Sequence, residues 1–165
     1  MWTRSAIVLV LALCVAPVAS AKDGEFTVVP SACNPAPGAS GFVWQGASVA
    51  LPAAAKVTLR CNVTDPADFG NVMNPVWNTI EVTYSDSDGM AADSRVTVQL
   101  WAVGKGTGVS VLAGSFDSNV FAAGMLNSSF FFHVFDFTNF GYYLQIALSR
   151  TPAGGDTRIF RVRLR

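Results

Sequence analysis

YYLQIALSR, residues 142–150, decides the fold class. Tyr142, Leu144, Ile146 and Leu148 alternate with Tyr143, Gln145, Ala147 and Ser149. A period of two marks a strand with one face on a core and the other in water. Four more stretches repeat the pattern. In KVTLRCNV (56–63), Val57, Leu59, Cys61 and Val63 share a face; in TIEVTYS (79–85), Ile80, Val82 and Tyr84 do so. Val96, Val98 and Leu100 share one in RVTVQLW (95–101), and Phe160, Val162 and Leu164 in RIFRVRLR (158–165). Turn chemistry separates them: SDSDG (85–89), GKGTG (104–108), FDSN (116–119), Asn139–Gly141 and TPAGGD (151–156). The best helical rival, ASVALPAAAK (47–56), is cut by Pro52.

Strands are therefore expected near 25–29, 41–45, 56–64, 78–85, 94–103, 108–116, 129–137, 141–150 and 157–165. Eight or nine short antiparallel strands in one unit predict an all-β, single-domain β-sandwich over residues 22–165, Ig-like or jelly-roll in connectivity. The sequence does not choose between those two topologies.

One stretch departs from the alternation. In SFFFHVFDF (129–137), Phe130, Phe132 and Val134 lie on one face, and Phe131, His133, Phe135 and Phe137 on the other. A strand apolar on both faces is covered on both. The reading here is a central strand overlaid by the chain's own N-terminal segment, with the Phe131–His133–Phe135–Phe137 face as the surface a partner would use if one were open.

MWTRSAIVLVLALCVAPVASA (1–21) has one positive charge, Arg4, an apolar stretch from Ala6 to Ala16, and a small-x-small end at Ala19 and Ala21. It reads as a signal peptide cleaved near Ala21. The apolar stretch is shorter than the ~20 residues a membrane-spanning helix needs. Leu13 before Cys14 lacks the small residue a lipoprotein signal wants, so no membrane anchor is expected. Export places the protein outside the cytoplasm, secreted or periplasmic. The scarcity of lysine, three in the whole chain, fits a GC-rich bacterial genome. Cys33 and Cys61 are then the two cysteines left, and an exported pair reads as a disulfide.

Charge excludes several partners. Without Arg4, 10 basic residues face 11 acidic ones. No field of that size recruits nucleic acid or anionic lipid. Catalytic signatures are missing as well. His133 is the single histidine, the glutamates are Glu25 and Glu81, and no nucleophile elbow, phosphate loop or dinucleotide fingerprint occurs. The chain reads as a non-enzyme. Motifs imply no cofactor; the one metal candidate is calcium, at Asp86, Asp88 and Asp93 of YSDSDGMAADSR (84–95), an oxygen-rich turn without the full EF-hand spacing. Asn62-Val63-Thr64 and Asn127-Ser128-Ser129 match glycosylation acceptors, a coincidence in a bacterium.

Three function classes fit. A binding module for a glycan or cell-surface protein would use Trp101 beside Gln99, and Tyr143 beside Gln145, on polar strand faces. A structural or partner-binding exported protein would need no small ligand. A small outer-membrane β-barrel fits the size, but its lipid-facing positions would be rich in threonine and arginine, and the chain ends in Arg165 rather than an aromatic residue.

Overall fold

A computed structural model describes residues 24–64, 75–122 and 125–165. The signal peptide expected over residues 1–21 lies outside them. Among the described residues eleven strands run in chain order: β1 (Phe26–Val28), β2 (Asn34–Pro35), β3 (Val43–Gln45), β4 (Ser48–Leu51), β5 (Ala55–Val63), β6 (Thr79–Asp86), β7 (Ser94–Gly104), β8 (Ser110–Asp117), β9 (Leu126–Phe130), β10 (Phe140–Arg150) and β11 (Thr157–Leu164). Two short strands, β2 and β4, add to those expected. β4 falls in the stretch whose alanines and leucine favour helix; Pro52 ends it, and pairing with β11 fixes it as a strand.

The strands form two antiparallel sheets. One orders β3-β4-β11-β6-β9, with β1 also paired to β11, and the other β2-β5-β10-β7-β8. Over the eight strands from β4 onward, β4-β11-β6-β9 faces β5-β10-β7-β8, the strand order of a jelly roll. The sheets do not close on one another, so the molecule is a sandwich, not a barrel. Among the described residues no helix is long and apolar enough to cross a membrane.

The alternation read from the sequence sets most of the core; in β11 a register shift between Ile159 and Arg161 buries Ile159 and leaves Phe160, expected inward, half-buried. Val57, Leu59, Val96, Val98, Leu100, Leu144, Ile146 and Leu148 meet Val49, Leu51, Ile80, Val82, Tyr84, Ile159, Val162 and Leu164, each at most 1% exposed. Burying such a side chain is worth ~1.5–3 kcal/mol. Cys33 and Cys61 are bonded, with Cα atoms 4.5 Å apart, and fasten the segment before β2 onto the inner face of β5.

The phenylalanine-rich stretch differs from expectation. β9 ends at Phe130, and residues 131–136 cross from one sheet to the other without ladder partners. The side chains still alternate. Phe131, Phe135 and Phe137 are buried, while Phe130, Phe132 and Val134 are 72%, 88% and 75% exposed. The segment caps one end of the sandwich. Phe135 packs edge-on to Trp77 at 5.0 Å and against Tyr142 at 4.9 Å. Phe131 occupies the space above Gly114, where a Cβ would lie 2.7 Å from the ring. The face expected to be available to a partner is thus the inward one, because the opening between the sheets offers more apolar burial than a second covering layer could.

β11 is an interior strand, paired with β6, β4 and β1. Arg161, Arg163 and Arg165 converge on the buried Glu81 of β6 at 3.7, 3.6 and 3.1 Å. The three arginines thus surround one buried carboxylate from the partly exposed side of the sheet.

Candidate functional site

The outer face of the five-stranded sheet collects the polar positions of its long strands. β10 lies at its centre, paired along its length with β5 and β7. Register turns alternation into rows across the sheet. Asn62, Tyr143 and Trp101 form one row, and Arg60, Gln145 and Gln99 the next. Thr58, Ala147 and Thr97 follow, joined by Asp117 of β8. The four ligand candidates named from the sequence therefore meet as two adjacent cross-strand pairs.

The pairs interact directly. The Trp101 and Tyr143 rings are nearly parallel, 10° apart in plane, with centroids 6.4 Å apart. The Gln145 side-chain amide donates to the Gln99 carbonyl oxygen at 3.2 Å. Both aromatic residues are half-buried. The Trp101 indole N–H is buried and has no partner among the described residues, which leaves ring carbon as what this residue presents to a ligand. Beyond the glutamines the face dips into a groove of about 290 Å³ lined by Arg95, Thr97, Gln99, Ser115, Phe116 and Asp117. Its volume lies at the small end of the ~300–1,000 Å³ of ligand sites. Arg95 closes the far end by donating Nε to Asp117 Oδ1 at 3.0 Å and Nη2 to Oδ2. That guanidinium holds the Asp117 carboxyl below its ordinary range. The middle of the face carries amides, hydroxyls and rings.

Arg60, Arg95, Ser115 and Asp117 were not singled out from the sequence, and Asn62 only as a glycosylation-acceptor match. Each sits at an outward position of a strand, which is legible. Their proximity to Trp101 depends on which strands are neighbours, which is not.

His133 belongs to the capping segment, apart from this face. Its Nε2 lies 3.1 Å from Tyr142 Oη, which accepts from the Asp136 backbone N–H at 2.8 Å. Burial lowers the histidine's pKa below its ordinary value.

The three aspartates of the β6–β7 turn do not meet as one ligand set. Among the described residues no three Asp, Glu, His or Cys side chains converge as metal ligands. Asp93 turns away to accept from Thr151 Oγ1 at 2.6 Å. Asp86 and Asp88 stay together, and burial, then the neighbouring Asp88 carboxyl, pushes Asp86 up to about 6. Two further tryptophans lie apart from the Trp101 face: Trp44 is exposed on β3, and Trp77 is buried.

No family model matches the chain, and no curated protein matches it. Solved structures with a similar outline include the CBM36-1 domain of a multidomain xylanase from the hindgut metagenome of Trinervitermes trinervoides. The two are 15% identical at a TM-score of 0.42, covering 86% of this chain and 97% of that one. A point variant of the family 29 carbohydrate-binding module CBM29-2, complexed with cellulohexaose, is 11% identical at a TM-score of 0.34, covering 85% and 90%. A structure of infectious bursal disease virus, Gx strain, is 14% identical at a TM-score of 0.36, covering 95% of this chain and 35% of that one.

Proposed function

We propose that this is an exported, non-catalytic binding module whose outer five-stranded face takes a glycan. The observation that carries the reading is the adjacent pairing of Trp101 with Tyr143 and of Gln99 with Gln145. A sugar ring offers one apolar C–H face and a rim of hydroxyls. An aromatic surface takes the first, and amides that both donate and accept take the second. The groove toward Arg95 and Asp117 extends the contact along the chain of sugars. The Cys33–Cys61 bond is compatible with an extracellular protein, and residues 1–21 supply the export signal.

The test is retention of the oxidised protein on a panel of cell-wall and extracellular polysaccharides, with Trp101→Ala and Tyr143→Ala alongside. At least one polysaccharide should retain the wild type, and each variant should bind it about tenfold or more weakly, a loss of ~1.4 kcal/mol. Retention by none, or equal retention of the variants, would move the reading to a protein partner and to the exposed strip of Phe130, Phe132 and Val134.

A further inference from the structure

We propose that the β6–β7 turn holds a calcium ion between the carboxylates of Asp86 and Asp88, with the Ser94 hydroxyl as a further ligand. Alternation along β6 puts Asp86 in register with Ile80, Val82 and Tyr84, so its carboxylate points inward, and the residue is 3% exposed. Both of its oxygens are buried and accept no hydrogen bond among the described residues. Asp88 Oδ2 accepts from the Ser94 backbone N–H at 2.7 Å, while Asp88 Oδ1 is buried and unpartnered. The Ser94 hydroxyl, on a residue with no exposed surface, is unpartnered as well.

Four oxygens without a close hydrogen-bond partner at one turn are costly, since a carboxylate loses its hydration on burial and only the neighbouring Ser118 hydroxyl and the Asp88 backbone ease the charge on Asp86. Arg150 supplies no countercharge: it donates Nε to the Gly154 carbonyl and Nη1 to the Leu51 carbonyl, each at 2.8 Å. The β10–β11 loop seals the turn with bare backbone. A Cβ on Gly154 would lie 2.8 Å from Ser94 Oγ, and one on Gly155 would lie 1.8 Å from Ser87 Oγ. Asp86 and Ser94 are thus enclosed, and half-buried Asp88 is held by the Ser94 backbone N–H. The donors are all oxygen, which selects a hard cation. Their irregular arrangement suits calcium, which takes ~6–8 oxygens, over magnesium, which demands an octahedron; backbone carbonyls and water complete the shell.

Calcium chloride titrated into the chelator-treated, oxidised protein should release or absorb heat with saturation. It should also raise the melting temperature by at least about 5 °C at saturating ion, and magnesium should do less. Asp86→Asn and Asp88→Asn should abolish the rise, whereas Asp93→Asn should keep it. Equal melting with calcium and with chelator, together with no binding heat, would overturn the proposal and assign the pair a shared proton instead. So would an Asp93→Asn loss as large as that of Asp86→Asn. Should the asparagine variants not fold, terbium luminescence of the wild type, excited through Tyr84, decides: calcium-displaceable emission supports the site, and its absence overturns it.

Discussion

His133 is the residue whose surroundings most directly set a solution property. Half-buried beside Phe135 and Tyr142, it has a folded pKa below its ordinary value near 6.5. A proton then binds the unfolded chain more readily than the folded one. The contribution is complete above about pH 6.5 and is lost as pH falls below it toward the folded pKa. We predict that the melting temperature of wild type falls more steeply between pH 7 and pH 5 than that of His133→Gln, which keeps a polar reach to Tyr142 without a titrating ring. Parallel pH profiles for the two proteins would rule the histidine out as the source. Gly114 shows the same dependence of one residue on its surroundings. Its missing side chain is what lets Phe131 pack onto β8.

At the scale of the element, the 131–137 segment separates periodicity from secondary structure. Its residues alternate in and out as a strand's would, yet it pairs with no strand. The two sets of phenylalanines should behave oppositely. Phe135→Ala opens a cavity among Trp77, Phe131, Phe137 and Tyr142 and should cost ~3–5 kcal/mol. Phe132→Ala should stay within ~0.5 kcal/mol of wild type. Urea denaturation of both measures this, and equal losses would contradict the capping arrangement. β7 and β10 make the complementary point. Their own alternation exposes Gln99, Trp101, Tyr143 and Gln145, but only their direct pairing joins these into one surface.

For the whole molecule, two sheets share one core, and the Cys33–Cys61 bond ties the N-terminal segment to it across 28 residues of sequence. Closing a loop of that size restricts the unfolded chain by ~3–4 kcal/mol in the entropy model. Reduction, or Cys33→Ala with Cys61→Ala, should lower the unfolding free energy by about that amount and leave the strand content by circular dichroism unchanged. A loss of strand signal under native conditions would mean that the sandwich depends on the bond to form at all.

Much of this protein was legible in its residues alone. A period of two with apolar residues at every second place yields strands with one wet face, because side chains leave a pleated backbone alternately on its two sides. That rule located most of the core and the four polar-face candidates, and the count of cysteines gave the disulfide partners. It could not locate neighbours. The jelly-roll order, the rows across the outer face, the gathering of three arginines on Glu81 and the separation of Asp93 from Asp86 and Asp88 all join residues far apart in sequence or turned by a loop. The phenylalanine run was misread as a strand for the same reason. Periodicity reports which side of a chain is buried, and only the packing of two sheets reveals that what buries it is the open end between them.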